Sequence, residues 1–500
     1  MTQATATTLP FGEWQPDLAA VNRPSSMARN VIADQDGYRV MPQPVLIGPT
    51  GLPAGATALT QFTSPGGIVY TFAGTPTRLY RATLAGWEDV TRASSVYDAL
   101  TPWRFARYGG RVYAVNGRDI IQRFELEGGV RFEDVPAATF GARYIAIVRD
   151  FVMVAYIVED LGNTSWPYTV GWSGLARPED WTPSARTQAD RRDVPGVGEI
   201  TGLTGGEWGT IIGRVGWQRI DFVGPPERMA NRVLEEGVSG CDVPGSVIKA
   251  GSRSIWLGSH GWRMTTGGPT APIGLGRVDQ HTRRRMVDDT SMQVTLLPVD
   301  RAVLWSYRSR DAVGAGNDEV LCYAWEAGQA GRWTDGRMRV EVLGQGATPA
   351  RFTDDPDHSS DFMDEPPWAD RLTDDPSLSG GLPFAAALRD GALHALQPVD
   401  SNVATLETGE AQLIPGRRAT MLRARPVVDG WSGPGALKVE VGARDRQEDP
   451  LSATAQLPAE PSGSHACRKS GRWHRLRAYV PGRFERAVGI QAAAVVSGTR

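Results

Sequence analysis

The chain has 500 residues, 41% of them hydrophobic, and a formal net charge of −3. That length exceeds one ordinary core, and the composition excludes a disordered chain, a collagen and a global basic footprint for nucleic acid. Glycine (58) and proline (35) are abundant and 16 tryptophans are available as anchors, which points to an all-β chain with many turns.

The charge is unevenly spread. Residues 400–500 hold 15 Lys/Arg against 10 Asp/Glu, and Lys249, Lys438 and Lys469 are the only lysines in the chain. Cys241, Cys322 and Cys467 stand apart with no CxxC, so no disulfide framework is expected and a reducing compartment fits. No secretory leader is read at the N-terminus. The most apolar run, 144–158, is broken by Arg149-Asp150 and is too short to span a bilayer.

Residues 1–57 show little periodicity and read as an N-terminal arm packed on the surface. From residue 58, short apolar runs alternate with Gly, Pro, Asn and Asp turns. Strands are predicted at 68–73 and 78–81; at 104–108, 111–116 and 120–125; and at 144–148, 151–158 and 169–172. A fourth group covers 200–203, 210–213 and 218–223. A fifth covers 247–250, 254–258 and 261–265, with a Gly/Pro-punctuated connector between it and the fourth. A sixth covers 292–298, 301–307, 320–326 and 332–334, and a further hairpin 384–388 and 392–397. Equivalent strands recur roughly every 40–55 residues, a period typical of propeller blades. The expectation is an all-β fold with a β-propeller of six or seven blades over 58–400. Unrelated meanders in sandwiches are the competing arrangement.

An acidic insertion near 351–380 interrupts the pattern. It contains Asp354, Asp355, Asp357, Asp361, Asp364 and Glu365, and its prolines disfavour a helix. A solvated loop is the default. A glycosidase pair needs carboxylates on separate rigid elements, and the spacing is not that of an EF-hand calcium loop. After residue 400 the strands 419–426, 436–443, 473–480 and 487–496 suggest a β-sandwich-like C-terminal domain over 401–500, separable from the propeller. Within it Arg472, Arg475 and Arg477 alternate in part with Trp473 and Leu476, so one strand face should be charged.

The chemical motifs sought are missing from the sequence. There is no GxxxxGK[ST], and Gly274-Leu275-Gly276 lacks the third glycine of a dinucleotide loop. The six histidines show no HxxxH or HxH pairing, and His260 reads as a hairpin tip. There is no GxSxG elbow. No catalytic residue, cofactor or metal is expected. Arg283, Arg284 and Arg285 suit either phosphate or, better, acids on a neighbouring subunit.

One ordered set of segments carries a resemblance. Trp217-Gln218 opens an aromatic-rich strand ending Val223-Gly224. Gly240-Cys241, Pro244-Gly245-Ser246-Val247, Leu257-Gly258, His260-Gly261-Trp262 and Pro272-Ile273-Gly274 follow. Upstream lies Trp172-Ser173-Gly174 with Pro178-Glu179-Asp180-Trp181, and downstream Gly471-Arg472-Trp473. The set resembles the nozzle proteins of short-tailed bacteriophages, also called packaged-DNA stabilisation proteins or tail tubular protein B. The resemblance implies a structural protein of the virion tail, assembled in the host cytoplasm as a homohexameric ring below the portal and adaptor. Its partners would be the adaptor, tail fibre or needle proteins, and double-stranded DNA passing without sequence-specific contacts. The acidic residues named above then become candidates for lining or gating the channel, and the two arginine groups for interfaces, while the N-terminal arm is implied to enter the propeller edge or to contact a neighbour. A glycan hydrolase or depolymerase of a phage tail, and a host-receptor-binding module, are the alternatives.

Overall fold

The computed structural model describes residues 5–347 (save 238, 289 and 315), 383–433 and 436–497. The described chain is nearly all β, and its single α-helix, Asp279–Arg285, has seven residues.

Seven groups of four antiparallel strands account for most of it. The first comprises Ala58–Thr63, Val69–Gly74, Leu79–Thr83 and Gly86–Asp89, and the second Arg104–Tyr108, Arg111–Val115, Gln122–Glu125 and Glu133–Asp134. The third comprises Gly141–Val148, Phe151–Glu159, Thr164–Trp172 and Asp190–Asp193, and the fourth Ile200–Thr204, Gly209–Gly213, Gly216–Gly224 and Arg228–Glu236. The fifth is Ile248–Ala250, Arg253–Gly258, Gly261–Thr265 and Ala271–Pro272. The sixth, Gln293–Leu297, Ala302–Tyr307, Asn317–Ala324 and Arg332–Val340, is part of a larger sheet. The seventh pairs Val342–Gly346, Phe384–Arg389 and Ala392–Gln397 with Gln43–Leu46 from the N-terminal region.

These sheets pack face to face in cyclic order. Phe72, Phe124 and Phe132 fill the space between the first and second, and Val152, Val154 and Tyr113 that between the second and third. Met153, Ile211 and Ile220 join the third to the fourth, and Trp217 and Trp256 the fourth to the fifth. Leu59, Ala73, Leu388 and Leu393 close the seventh onto the first. The second strands are therefore covered on both faces. Phe151–Glu159 reads FVMVAYIVE, and all but its last residue are buried. The arrangement is propeller-like.

Two broad sheets complete the molecule. The sixth sheet continues through Met27–Arg29, paired parallel at Arg29 and Asp335, into Val403–Glu407, Trp473–Pro481, Lys438–Arg444 and Ser452–Ala453. Facing it, Arg486–Val496 pairs with Ala419–Asp429 on one side, and with Thr5–Pro10 and Tyr38–Val40 on the other. Leu476, Ala478 and Val441 from the first meet Met421, Ala424, Ile490 and Ala492 from the second in one core.

Two expectations change here. Residues 5–46 are not packed on the surface as an arm but enter sheet edges, the other arrangement expected of them: they supply strands to the seventh sheet, the continued sixth sheet and its facing sheet, pairing with residues hundreds of positions away. The predicted connector between the fourth and fifth groups contains the nine-residue strand Arg228–Glu236, in which Met229 alone is buried, so no buried alternation marks it.

Candidate functional site

The inner strands of five sheets converge on a wide-open depression of about 560 Å³. Phe105, Ile145, Ile147, Leu203, Val247, Ile248 and Val294 form its apolar wall, while Arg107 and Lys249 are the charged lining residues among those described. Lys249 comes from the short strand Ile248–Ala250. Its ammonium donates to the carbonyl of Gly205. Burial holds its pKa below the usual lysine value, and the Glu207 carboxylate opposes that shift. Arg107 is exposed at the rim, where its Nη1 donates to the carbonyl of Thr63 at 2.6 Å.

Gly205 and Gly206 make this geometry possible. Gly206 exchanges main-chain bonds with the third sheet: its N–H reaches Ile147 O at 2.8 Å, and its carbonyl accepts from Arg149 N–H at 2.8 Å. A Cβ on Gly205 would strike Ile147 O, and one on Gly206, which has a positive φ, would strike the Lys249 ammonium.

The residues singled out in the sequence fall elsewhere. Arg283, Arg284 and Arg285 form the last turn of the helix, whose first N–H groups at Gln280 and His281 are capped by the Asp17 carboxylate at 2.8 Å. Arg283 donates to Gly258 O and Arg284 to Gln280 Oε1 at 3.0 Å. Arg285 is engaged within the chain, by Glu319 at 2.6 Å and Asp311 at 3.0 Å, and Tyr307 donates to the same Glu319 at 3.0 Å. That pairing holds the Arg285 guanidinium pKa above its ordinary value.

Arg475 and Arg477 lie on the outward face of Trp473–Pro481, with Leu476, Ala478 and Val480 inward, as the alternation predicts. Both reach Glu407 Oε1, at 3.0 and 3.1 Å, and Arg477 also approaches Glu440 at 3.4 Å. Arg472 is exposed at the strand's start. The structure brings Arg475 and Arg477 together, and leaves the helical arginines at a separate place on the sixth sheet. Asp354, Asp355, Asp357, Asp361, Asp364 and Glu365 lie outside the described residues. His260 occupies the turn between Arg253–Gly258 and Gly261–Thr265.

Among the described residues, no group of three or more His, Cys, Asp or Glu side chains has a metal-binding arrangement. No described helix is long and apolar enough to cross a membrane. Burial pushes the thiols of Cys241, Cys322 and Cys467 each up to about 12.

Sequence reading missed Lys249 as a site residue. Its one signal is rarity: a lysine in a chain whose cations are almost all arginine, placed in a short apolar strand. The cavity itself needs five sheets to exist.

No protein-family model matches this chain, and no curated protein matches its sequence. Several solved structures share part of its course. A chain of a mitotic checkpoint complex is 11% identical, covering 71% of this chain and 93% of its own, with a TM-score of 0.38. The computationally designed Ika8 protein is 10% identical over 71% of this chain and 99% of its own, with a TM-score of 0.35. An exo-β-1,3-galactanase from Phanerochaete chrysosporium is 8% identical over 90% of this chain and 100% of its own, with a TM-score of 0.28. All three TM-scores lie below one half, too loose a likeness to assign a fold or an activity.

Proposed function

We propose that the chain is a seven-bladed β-propeller fused to a β-sandwich, and that it is a structural protein: the nozzle subunit of a short phage tail. The observation that carries this reading is what the resemblance segments do. Several of them join main chain to main chain or sheet to sheet. Ser246 of Pro244-Gly245-Ser246-Val247 accepts from Leu257 N–H at 2.8 Å and donates to Val243 O at 2.6 Å. A Cβ on Gly245 would strike Met292 O, and one on Gly258 would strike Gly240 O. Trp262 of His260-Gly261-Trp262 packs on Trp305 and Trp333 at 4.4 and 5.3 Å. Ser173 of Trp172-Ser173-Gly174 accepts from Val152 N–H at 3.0 Å, and Trp181 packs edge-on to Phe140 at 5.3 Å. Such segments specify a stiff ring of sheets.

The shared sixth sheet, running unbroken into the sandwich, makes the two parts one body. A stiff two-part subunit suits a tube wall, where heterologous contacts repeated around an axis close a ring. In this reading six copies sit below the portal and adaptor in the virion tail, after assembly in the host cytoplasm. Fibre or needle proteins dock on them, and double-stranded DNA passes through the ring without base-specific contacts. Cryo-EM of the purified protein, alone and in virion tails, tests it. Sixfold rings at the tail tip are expected. A monomer inside intact virions, or release of sugars from host polysaccharide by the purified chain, would overturn the assignment.

A further inference from the structure

We propose that this open depression is a binding site for a small organic carboxylate with an apolar body, held by Lys249 and steered by Arg107.

Three observations point to this ligand. First, the wall is chemically divided. Phe105, Ile145, Ile147, Leu203, Val247, Ile248 and Val294 offer aliphatic and aromatic surface, and among the described residues the charged groups of the lining are both cations. A site with an apolar wall and a few converging polar groups is the usual form of a small-molecule pocket. Second, Lys249 is under-compensated. Its ammonium has three donors, and Gly205 O is its one hydrogen-bond partner among the described residues. A half-buried cation facing apolar side chains gains most from a carboxylate brought to it, because the surroundings screen that pair less than water does. Third, the site is built. Glycine at 205 is demanded by the close approach of Ile147 O and glycine at 206 by its positive φ, so the backbone turn that carries the lysine's acceptor carbonyl is fixed.

The wall sets the class of anion. Apolar side chains around the ammonium suit the body of an organic carboxylate, whereas a phosphate, polar on every side, would leave that wall facing polar oxygens. The volume of about 560 Å³ accommodates a ligand far larger than acetate. An arylalkanoate fits: its carboxylate on Lys249, its ring against Phe105, Ile145 and Leu203. The carboxylate does not displace the Gly205 contact, since the remaining two ammonium donors suffice.

The rarity of lysine makes the test direct. The full-length protein is treated briefly with an amine-acylating reagent, and modification of Lys249, Lys438 and Lys469 is read separately by mass spectrometry. Each run contains 4-phenylbutanoate, its neutral amide or inorganic phosphate. The site predicts saturable protection of Lys249 by 4-phenylbutanoate, with the exposed Lys438 unaffected. The amide and phosphate protect weakly or not at all. Direct binding by calorimetry should weaken at least tenfold in Lys249→Met and several-fold in Arg107→Gln, with both variants checked for a native melting transition. Equal protection by phosphate would reduce the cavity to a plain cation and overturn the carboxylate assignment. So would absence of protection in the wild-type protein, a measurement that needs no variant to fold.

Discussion

The indole N–H of Trp333 donates to the carbonyl of Ile273 at 2.9 Å, tying the sixth sheet to the outer edge of the fifth. Trp305 makes the matching bond to Ser246 O at 2.9 Å, on the inner side of the same interface. Trp262 lies between them, and its own indole reaches Thr282 Oγ1 at 3.3 Å. Three buried indoles with satisfied N–H groups thus carry apolar area and two inter-sheet bonds at once. Trp333→Phe keeps much of the area and strands Ile273 O, so it should cost about 1–2 kcal/mol. Trp305→Ala adds a cavity and should cost about 3–5 kcal/mol. Urea unfolding of the full chain measures both, and equal losses would contradict the division between area and bond.

The strand pairing at Arg29 and Asp335 is reinforced by the side chains of the same two residues. Arg29 places Nη2 and Nε at 2.7 and 3.1 Å from Asp335 Oδ2. The Asp335 side chain is 7% exposed and that of Arg29 25%. Removing the guanidinium leaves a carboxylate nearly out of water. Arg29→Met should cost about 2–3 kcal/mol, below the figure for a fully buried pair because Arg29 is partly solvated. Adding Asp335→Leu should recover part of that loss. A double-mutant cycle in urea decides it, and additive losses would show that the pair is not coupled.

Apolar runs shielded on both faces were readable from sequence, and pairings across long distances were not. Residues 151–158 announce a strand because neighbouring sheets cover both its sides. Asp190–Asp193, an outer strand of Asp-Arg-Arg-Asp, carries no such mark because its exposed edge needs no apolar side chains. Gln43–Leu46 completes a sheet whose other strands lie about 300 residues on, a closure no local pattern encodes. The charged face of Arg475 and Arg477 followed from period two, but their partner Glu407 did not. Lys249 stood out only as a rare residue, because the cavity that gives it meaning belongs to no one segment.

Acid should weaken the region around the helix. His281 sits edge-on to Trp14 at 4.9 Å, and burial holds its pKa below the ordinary 6.5. His474 is shifted in the same direction by the same cause. For a buried imidazole kept neutral, the unfolded chain binds more protons once the pH drops below about 6.5. Stability is therefore full above that value and is lost as pH falls toward the lower folded pKa. The nearby Asp335 and Glu319 oppose this shift, while Arg285 adds to it. The melting temperature should fall between neutral pH and mild acid, with a shallower slope in His281→Gln. An unchanged slope in that variant would move the titration to His474.

All three cysteines should be silent in the native protein. Their thiols are buried and held far from thiolate, the reactive form. Iodoacetamide at mildly alkaline pH is expected to leave the folded chain unmodified and to label three sites in urea. Fast native labelling of Cys467 would show that the sheet edge His465–Gly471 opens locally.

The continuous sheet also decides what the C-terminal region is worth to the rest. A separable domain would let residues 401–500 be deleted at little cost. Here Val403–Glu407 lies hydrogen-bonded beside Met27–Arg29, and Arg486–Val496 holds both Thr5–Pro10 and Tyr38–Val40. Deletion would strip the cover from Ala28, Val31, Ile32 and Tyr38, each at most 1% exposed in the intact chain. It would also leave strand edges open for pairing with other molecules. The truncated chain is expected to aggregate or to unfold at a lower temperature than the full protein, with loss of the N-terminal pairings seen as rapid hydrogen exchange across residues 5–40. A truncated chain that stays monomeric with the full protein's melting temperature would show that the ring of sheets stands alone.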